Sequence, residues 1–144
     1  MSGPGVEAPL PAKTRMTILL YTSIIIDALR NRRGRRGLLR SLLEQGHELA
    51  CCAVNVAEVY SGMRPHEAEE TTVLVESLAY VQISREAART AGGMRLELQR
   101  KGKTLSLPDA IIGAVALREG LTVATDNVRD FSMLRLELLP MQGA

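Results

Sequence analysis

Short, continuously apolar runs alternate along this chain with longer segments of helical spacing. The runs that we predict as strands are residues 17–21, 48–54, 81–83 and 121–124, with a further edge strand over 136–139. These runs do not alternate between polar and apolar residues, which is typical of strands that are covered by helices on both faces. Strands that alternate with helices are joined by right-handed crossovers into a parallel sheet. We therefore predict an α/β fold, a three-layer α/β/α sandwich with a short central parallel sheet.

Helix signals fill the segments between the predicted strands. Thr22 or Ser23 is a candidate N-cap for a first helix that ends near Arg30. The remaining helices are predicted over residues 38–46, 55–63, 65–79, 84–101, 107–119 and 128–134.

The length of 144 residues and a hydrophobic content of 46% fit a single folded domain, which we place at residues 16–144. Residues 1–15 are rich in Gly, Pro and Ala, so we expect a disordered leader or a cloning remnant, with Met16 as the native start. No stretch approaches the roughly 20 apolar residues that cross a bilayer. We expect no membrane association, and a cytoplasmic protein.

Acidic side chains are concentrated after the predicted strands. The chain contains only four aspartates, and Asp109, Asp126 and Asp130 fall within one stretch near the C-terminus, while Glu58 follows the second strand. Each acid taken alone fits a helix cap, and Asn55-x-x-Glu58 resembles a capping box. Their joint position at the carboxyl edge of a parallel sheet favours a site for a hard divalent metal ion.

Basic residues are also unevenly distributed, although the net charge is only +2. Six arginines lie between positions 30 and 40, and we single out Arg32, Arg33, Arg35 and Arg36 as candidates for RNA binding. Arginine makes bidentate contacts with phosphate, but a solvated loop or helix face explains the same pattern. The aromatic content of 3% argues against recognition of RNA by base stacking.

Other chemistries find little support in the sequence. The tripeptide 102–104 imitates the end of a phosphate-binding P-loop, but Glu97 stands where that motif requires glycine. No G-x-S-x-G elbow supplies a nucleophile for acyl transfer. Cys51 and Cys52 are adjacent, which fits two buried strand residues better than a zinc site or a disulfide framework.

Four segments carry a family resemblance: LLYTSIIID at 19–27, VAEVYSG at 56–62, PDA at 108–110 and ATDNVRDF at 124–131. Together they closely resemble the PIN domain, and more narrowly the ribonuclease toxins of VapBC toxin–antitoxin pairs. The resemblance covers about residues 16–140, with all segments in order.

This resemblance implies an endoribonuclease that uses Mg²⁺ or Mn²⁺ to direct a water molecule at a phosphodiester. By position, Glu58 and Asp109 match the second and third acids of the family, and the fourth is Asp126 or Asp130. The residues expected to support these ligands by hydrogen bonds are Thr22, Ser23, Thr125 and Asn127. The resemblance also implies an RNA substrate, a small cognate antitoxin whose tail enters the acidic groove, and a homodimer.

Tyr21 is a departure from the family pattern, because the first acid is expected at this position. A phenol is neutral at pH 7 and binds Mg²⁺ poorly. Asp27 lies nearly two helical turns further on and is expected to point elsewhere. The sequence leaves two hypotheses: a metal-dependent ribonuclease impaired by Tyr21, or an inactive PIN-like domain that binds an antitoxin or RNA.

Apolar residues in the middle of the chain exceed what one small sheet needs to cover it. They are Val73, Leu74, Leu78, Met94, Leu96 and Leu98. We predict that they support homodimer formation, since a two-fold contact is the commonest way to bury such a surface.

Overall fold

The computed structural model of the protein describes residues 15–132 and 138–140. Five parallel strands form one sheet in the order β3-β2-β1-β4-β5. They are β1 (Thr17–Leu20), β2 (Glu48–Cys52), β3 (Ala79–Val81), β4 (Thr122–Thr125) and β5 (Leu138–Pro140). The central strand β1 pairs with β2 on one side and β4 on the other. The predicted α/β class and parallel sheet are confirmed.

Seven α-helices accompany the sheet within the described residues. They are α1 (Thr22–Leu29), α2 (Arg35–Glu44), α3 (Ala53–Ser61), α4 (Ala68–Ser77), α5 (Arg85–Arg100), α6 (Leu107–Glu119) and α7 (Val128–Ser132). A 3₁₀ turn over Pro65–Glu67 precedes α4.

Alternate residues of β1 point into two separate cores. Ile18 and Leu20 are fully buried with apolar side chains from α1, α2, α3 and α4. Leu19 is fully buried against α5, α6 and α7. The sheet is therefore covered on both faces, and the three-layer arrangement is confirmed.

Element boundaries differ from the predictions at several points. Strand β3 begins at Ala79 and not at residue 81, because β3 pairs with β2 from Ala79 onward and the chain turns at Ser84 into α5. The Ser84 hydroxyl accepts a hydrogen bond from the Ala87 N–H at 3.0 Å, which fixes the start of that helix. Neither Thr22 nor Ser23 caps α1, whose N-cap is Tyr21.

Some predictions fall on parts of the chain outside the described residues. They are the leader at 1–14 and the segment 133–137, which includes the end of the predicted helix 128–134. The predicted edge strand is present as β5, shifted toward the C-terminus. Within residues 15–132 and 138–140, no helix has the length and apolar content that crossing a membrane requires.

Candidate active site

Tyr21 lies at the carboxyl end of the central strand, where the predicted acids were expected to meet. Its backbone N–H donates to the Ala124 carbonyl at 2.9 Å, so the pairing of β1 with β4 extends to the first residue after the strand. Its ring packs edge-on against Phe131, with ring centroids 5.5 Å apart and planes at 79°. These two contacts hold the phenol at the carboxyl end of β1.

The surroundings of Tyr21 raise the pKa of its phenol from 10.0 to about 12. Burial is the largest cause, followed by the charge of Asp109 and a hydrogen bond with the Asp109 carboxylate, while Glu58 adds a smaller effect. A hydrogen bond with Asn127 acts in the opposite direction. Tyr21 is therefore a neutral hydrogen-bond donor at pH 7, and it lies among Glu58, Asp109 and Asn127.

Glu58 is held by a chain of neutral donors that begins in the core. The buried Asn55 side chain accepts from the Cys52 N–H at 2.9 Å and donates to the Thr22 hydroxyl at 3.2 Å. Thr22 in turn donates to Glu58 Oε1 at 2.6 Å. The expected capping box between Asn55 and Glu58 is wrong, because α3 begins earlier and Asn55 is its third residue. Glu58 is therefore free of a capping role and faces the site.

Asp109 enters the site from the first turn of α6. Its backbone N–H donates to the Ser106 hydroxyl at 3.2 Å, so Ser106 caps this helix. The carboxylate reaches Tyr21, which lies at the end of β1. The helix preceding β4 thus brings Asp109 to the predicted edge of the sheet.

Asp126 follows β4 but makes its contacts on the side of α1 and α2. Its Oδ1 accepts from the Ser23 hydroxyl at 3.0 Å, and its Oδ2 lies 3.4 Å from Arg33 Nη1 and 3.8 Å from Arg35 Nη2. The next residue, Asn127, donates its backbone N–H to Thr125 Oγ1 at 2.8 Å. Two adjacent residues of this turn therefore contact different parts of the molecule: Asp126 contacts Arg33 and Arg35, and Asn127 contacts Tyr21.

The four predicted acids are only partly brought together in the structure. Glu58 and Asp109 share Tyr21 as a neighbour, while Asp130 lies in α7 with its side chain outside the described part of the structure. Among the described residues, no three His, Cys, Asp or Glu side chains form a group that could hold a metal ion. Two carboxylates still fit a hard cation such as Mg²⁺, which keeps several waters and takes one or two protein acids. Ligand roles for Asp126 and Asp130 stay predictions.

The members of the arginine cluster differ in exposure and in their contacts within the chain. Arg32, Arg33 and Arg36 are exposed, and Arg36 also donates to the carbonyls of Ala28 and Leu29 at the end of α1. The side chain of Arg35 is 0% exposed, so its predicted contact with RNA needs correction. Its charge is directed toward Asp126 inside the protein. No feature of the sequence separates Arg35 from its neighbouring arginines, and its burial could not be foreseen.

Known proteins resemble this chain in sequence and in fold. The PIN domain family matches residues 18–135. Ribonuclease VapC10 of Mycobacterium tuberculosis is 34% identical over 116 residues, which cover 81% of this chain and 86% of that protein. A toxin-antitoxin complex from Klebsiella pneumoniae contains a chain with a TM-score of 0.73 and 26% identity, and the match covers 88% of this chain and 99% of that one.

A more distant likeness supports the fold alone. VapBC2 from Rickettsia felis, solved bound to a DNA fragment from its promoter, matches with a TM-score of 0.77 at 22% identity. The match covers 88% of this chain and 100% of that chain.

Proposed function

Because this chain belongs to the PIN domain family, we propose that it is an endoribonuclease toxin that requires a divalent metal ion, Mg²⁺ or Mn²⁺. The observation that carries this proposal is the convergence of Glu58 and Asp109 on Tyr21 at the carboxyl end of β1. The 34% identity with a protein named a ribonuclease supports RNA as the substrate. The cytoplasm is the compartment in which we propose that it acts.

Glu58 and Asp109 are the residues that would hold the metal ion. When bound, such an ion polarises the phosphoryl oxygen and lowers the pKa of a coordinated water. The Thr22 hydroxyl orients the Glu58 carboxylate by its 2.6 Å hydrogen bond, and buried Asn55 fixes that hydroxyl in turn. These two neutral groups position the carboxylate without reducing its charge.

Tyr21 limits this chemistry in the present chain. A neutral phenol adds no charge to the site, and its hydrogen bond occupies part of the Asp109 carboxylate. We therefore propose weaker metal binding and slower cleavage than an aspartate at position 21 would give.

The same observation supports a second candidate function, a non-cleaving PIN domain that binds an antitoxin or RNA. In that case Tyr21 would keep the metal ion out, and the domain would act by binding alone. Cleavage of RNA by the unaltered chain distinguishes the two functions.

A small cognate antitoxin is the protein partner that we propose, because the Klebsiella pneumoniae relative is part of a toxin-antitoxin complex. An apolar groove of about 760 Å³ lies between α1, α2 and α4 and fits an apolar protein segment. Residues that line it include Leu29, Leu39, Leu43, Val73 and Leu74.

We also keep the homodimer as a proposal. Of the apolar residues predicted to support it, Leu78 and Leu98 are buried in the core of the single chain. Leu96 is 50% exposed and remains available to a second copy, whereas Val73, which is 67% exposed, lines the groove proposed for the antitoxin. Light scattering at micromolar concentration tests this, and a monomer mass would count against it.

Incubation of the chain with structured RNA and Mn²⁺ tests the proposed activity. We expect cleavage that disappears with EDTA and in the Asp109→Asn variant, because EDTA removes the metal ion and the substitution removes one of its proposed ligands. The matched control is Glu97→Gln, which changes an exposed acid on α5 and should cleave normally. Cleavage that survives EDTA would refute the metal role, and an inactive chain that still binds RNA would support the second function.

A further inference from the structure

Arg35 is a buried charge beside the candidate active site, and the chemistry proposed above gives it no role. It is the first residue of α2, and its side chain is 0% exposed. A cation is disfavoured at the N-terminal end of a helix, where the helix dipole is positive. A buried charge is also costly unless opposite charges lie close to it. Interactions with residues outside α2 must therefore stabilise the charge of Arg35.

Two aspartates from different elements supply the opposite charge. Asp27 of α1 places Oδ2 3.9 Å from Arg35 Nε, and Asp126 places Oδ2 3.8 Å from Arg35 Nη2. The guanidinium thus connects α2 with α1 and with the turn that follows β4. This turn also carries Asn127, the neighbour of Tyr21.

Asp126 is engaged through both of its carboxylate oxygens. Oδ1 accepts from Ser23, and Oδ2 faces Arg33 as well as Arg35. Arg33 adopts a φ of 54° and Asn31 a φ of 52°, which is unfavourable for residues with a side chain. A loop held in this conformation indicates that its contacts, including the one with Asp126, fix it in place.

The direction of Asp126 determines what its neighbour can contact. The Asn127 backbone is held by Thr125 Oγ1, and its side chain is hydrogen-bonded to Tyr21. With Asp126 paired to the arginines, Asn127 is the residue of this turn that contacts Tyr21.

We propose that Arg35 is a positioning residue: its ion pair with Asp126 anchors the turn after β4 and directs Asn127 into the active site. The inference rests on the proposed function for its meaning in catalysis. It assigns Asp126 the part of an internal counter-charge to Arg35, in place of the predicted role of a metal ligand.

The first test compares two arginines that contact the same carboxylate oxygen. Arg35→Met removes the buried partner, and the matched control Arg33→Met removes a partner whose side chain is 57% exposed. The measurement is the pair of side-chain amide signals of Asn127 in ¹H–¹⁵N NMR spectra, assigned by their loss in Asn127→Ala. We expect Arg35→Met to displace these signals, Arg33→Met to leave them in place, and Arg35→Lys to restore them in part.

Unchanged Asn127 signals in folded Arg35→Met would overturn the proposal. If Arg35→Met does not fold, a triple variant replaces the arginine and both of its acidic partners: Arg35→Met, Asp27→Asn and Asp126→Asn. Replacing all members of a buried ion pair is tolerated better than removing one of them. The combined variant should fold with displaced Asn127 signals. Native Asn127 signals in that variant would also refute the positioning role.

The second test measures Mn²⁺ affinity in a Tyr21→Asp background, in which we expect stronger binding than in the unaltered chain. Asp109→Asn should weaken binding by more than about ten-fold, and Asp126→Asn by less than about three-fold. An equal loss in both variants would show that Asp126 is a ligand and would overturn the assignment. If no variant binds metal or cleaves RNA, the proposed function fails, while the NMR comparison still decides the role of Arg35.

Discussion

The two sides of the carboxyl edge stabilise their acids in opposite ways. On one side, neutral hydroxyl groups donate to carboxylates, Thr22 to Glu58 and Tyr21 to Asp109. On the other side, Asp126 faces the guanidinium groups of Arg33 and Arg35. A neutral donor orients a carboxylate but leaves its charge in place, whereas a nearby cation cancels that charge. The side with neutral donors therefore keeps its negative charge, which supports our proposal that the metal ion binds there.

The largest effect is expected from Tyr21→Asp, which adds a carboxylate to the side that has neutral donors. Mn²⁺ affinity should rise by more than about ten-fold, because changes outside the direct ligands already shift affinity by 10–100-fold. RNA cleavage should become faster, and the variant should be harmful to cells without an inhibitor. Both forms are purified with a co-expressed inhibitor and compared by metal titration and RNA cleavage.

Tyr21→Phe is the matched control for this substitution. It removes the hydroxyl group, keeps the ring contact with Phe131 and adds no ligand, so any gain in metal affinity from the freed Asp109 carboxylate should be much smaller than the gain in Tyr21→Asp. If Tyr21→Asp binds metal no better than Tyr21→Phe, the idea that a ligand is missing at position 21 is wrong.

The next effect contrasts a buried hydrogen bond with an exposed one. Asn55→Ala leaves the buried Cys52 N–H without its acceptor and removes the donor to the Thr22 hydroxyl, so it should lower the free energy of unfolding by about 2–4 kcal/mol. Ser23→Ala removes a more exposed bond to Asp126 and should cost only about 0.5–1 kcal/mol. Chemical denaturation measures both values, and equal losses would contradict the proposed importance of the Asn55 network.

A smaller effect concerns the pH dependence of stability. The pKa of Tyr21 is 10.0 in the unfolded chain and about 12 in the folded protein. Between these values the unfolded chain loses its phenol proton while the folded protein retains it, so stability falls as pH rises. After allowance for partial exposure of the ring, the loss at pH 11 should be about 1 kcal/mol.

Tyr21→Phe isolates this loss, since it has no phenol at position 21. Chemical denaturation compares the free energies of unfolding of Tyr21→Phe and the unaltered protein. We expect their difference to be constant below pH 10 and to change between pH 10 and 12. A constant difference across both ranges would mean that Asp109 and burial do not perturb this phenol.

The smallest effect concerns the exposed arginines. If Arg33 contacts an RNA phosphate, Arg33→Gln should reduce the slope of log Kd against log salt concentration by about 1. Arg36→Gln is the control, because this guanidinium donates to the carbonyls of Ala28 and Leu29 and should not change the slope. A slope in Arg33→Gln equal to that of the unaltered protein would exclude a phosphate contact by Arg33.

Sequence reasoning predicted the parts of this molecule that depend on the order of elements. Glu58 follows the second predicted strand, and Asp109 lies in the first turn of the helix that runs antiparallel to the next strand, so their approach to one edge of the sheet was foreseeable. The parallel sheet and its helical layers followed from the apolar runs in the same way.

The remaining details depend on contacts between segments far apart in the chain. Asp126 and Asn127 are adjacent, and their sequence does not indicate which one faces the centre, because this depends on Arg35 in another helix. The N-cap of α3 was missed for a similar reason: Asn55 satisfies the Cys52 N–H from inside the helix and leaves Glu58 for the site.

The position of β4 beside the central strand has a consequence for the protein during its synthesis. β1 and β2 leave the ribosome long before β4, and yet the central strand is not enclosed until β4 pairs with it. Asp109 and Asn127 belong to this late segment, so a nascent chain that ends before it carries Tyr21 and Glu58 without their neighbours. The edge that carries the candidate active site is therefore assembled only when nearly all of the domain has been translated.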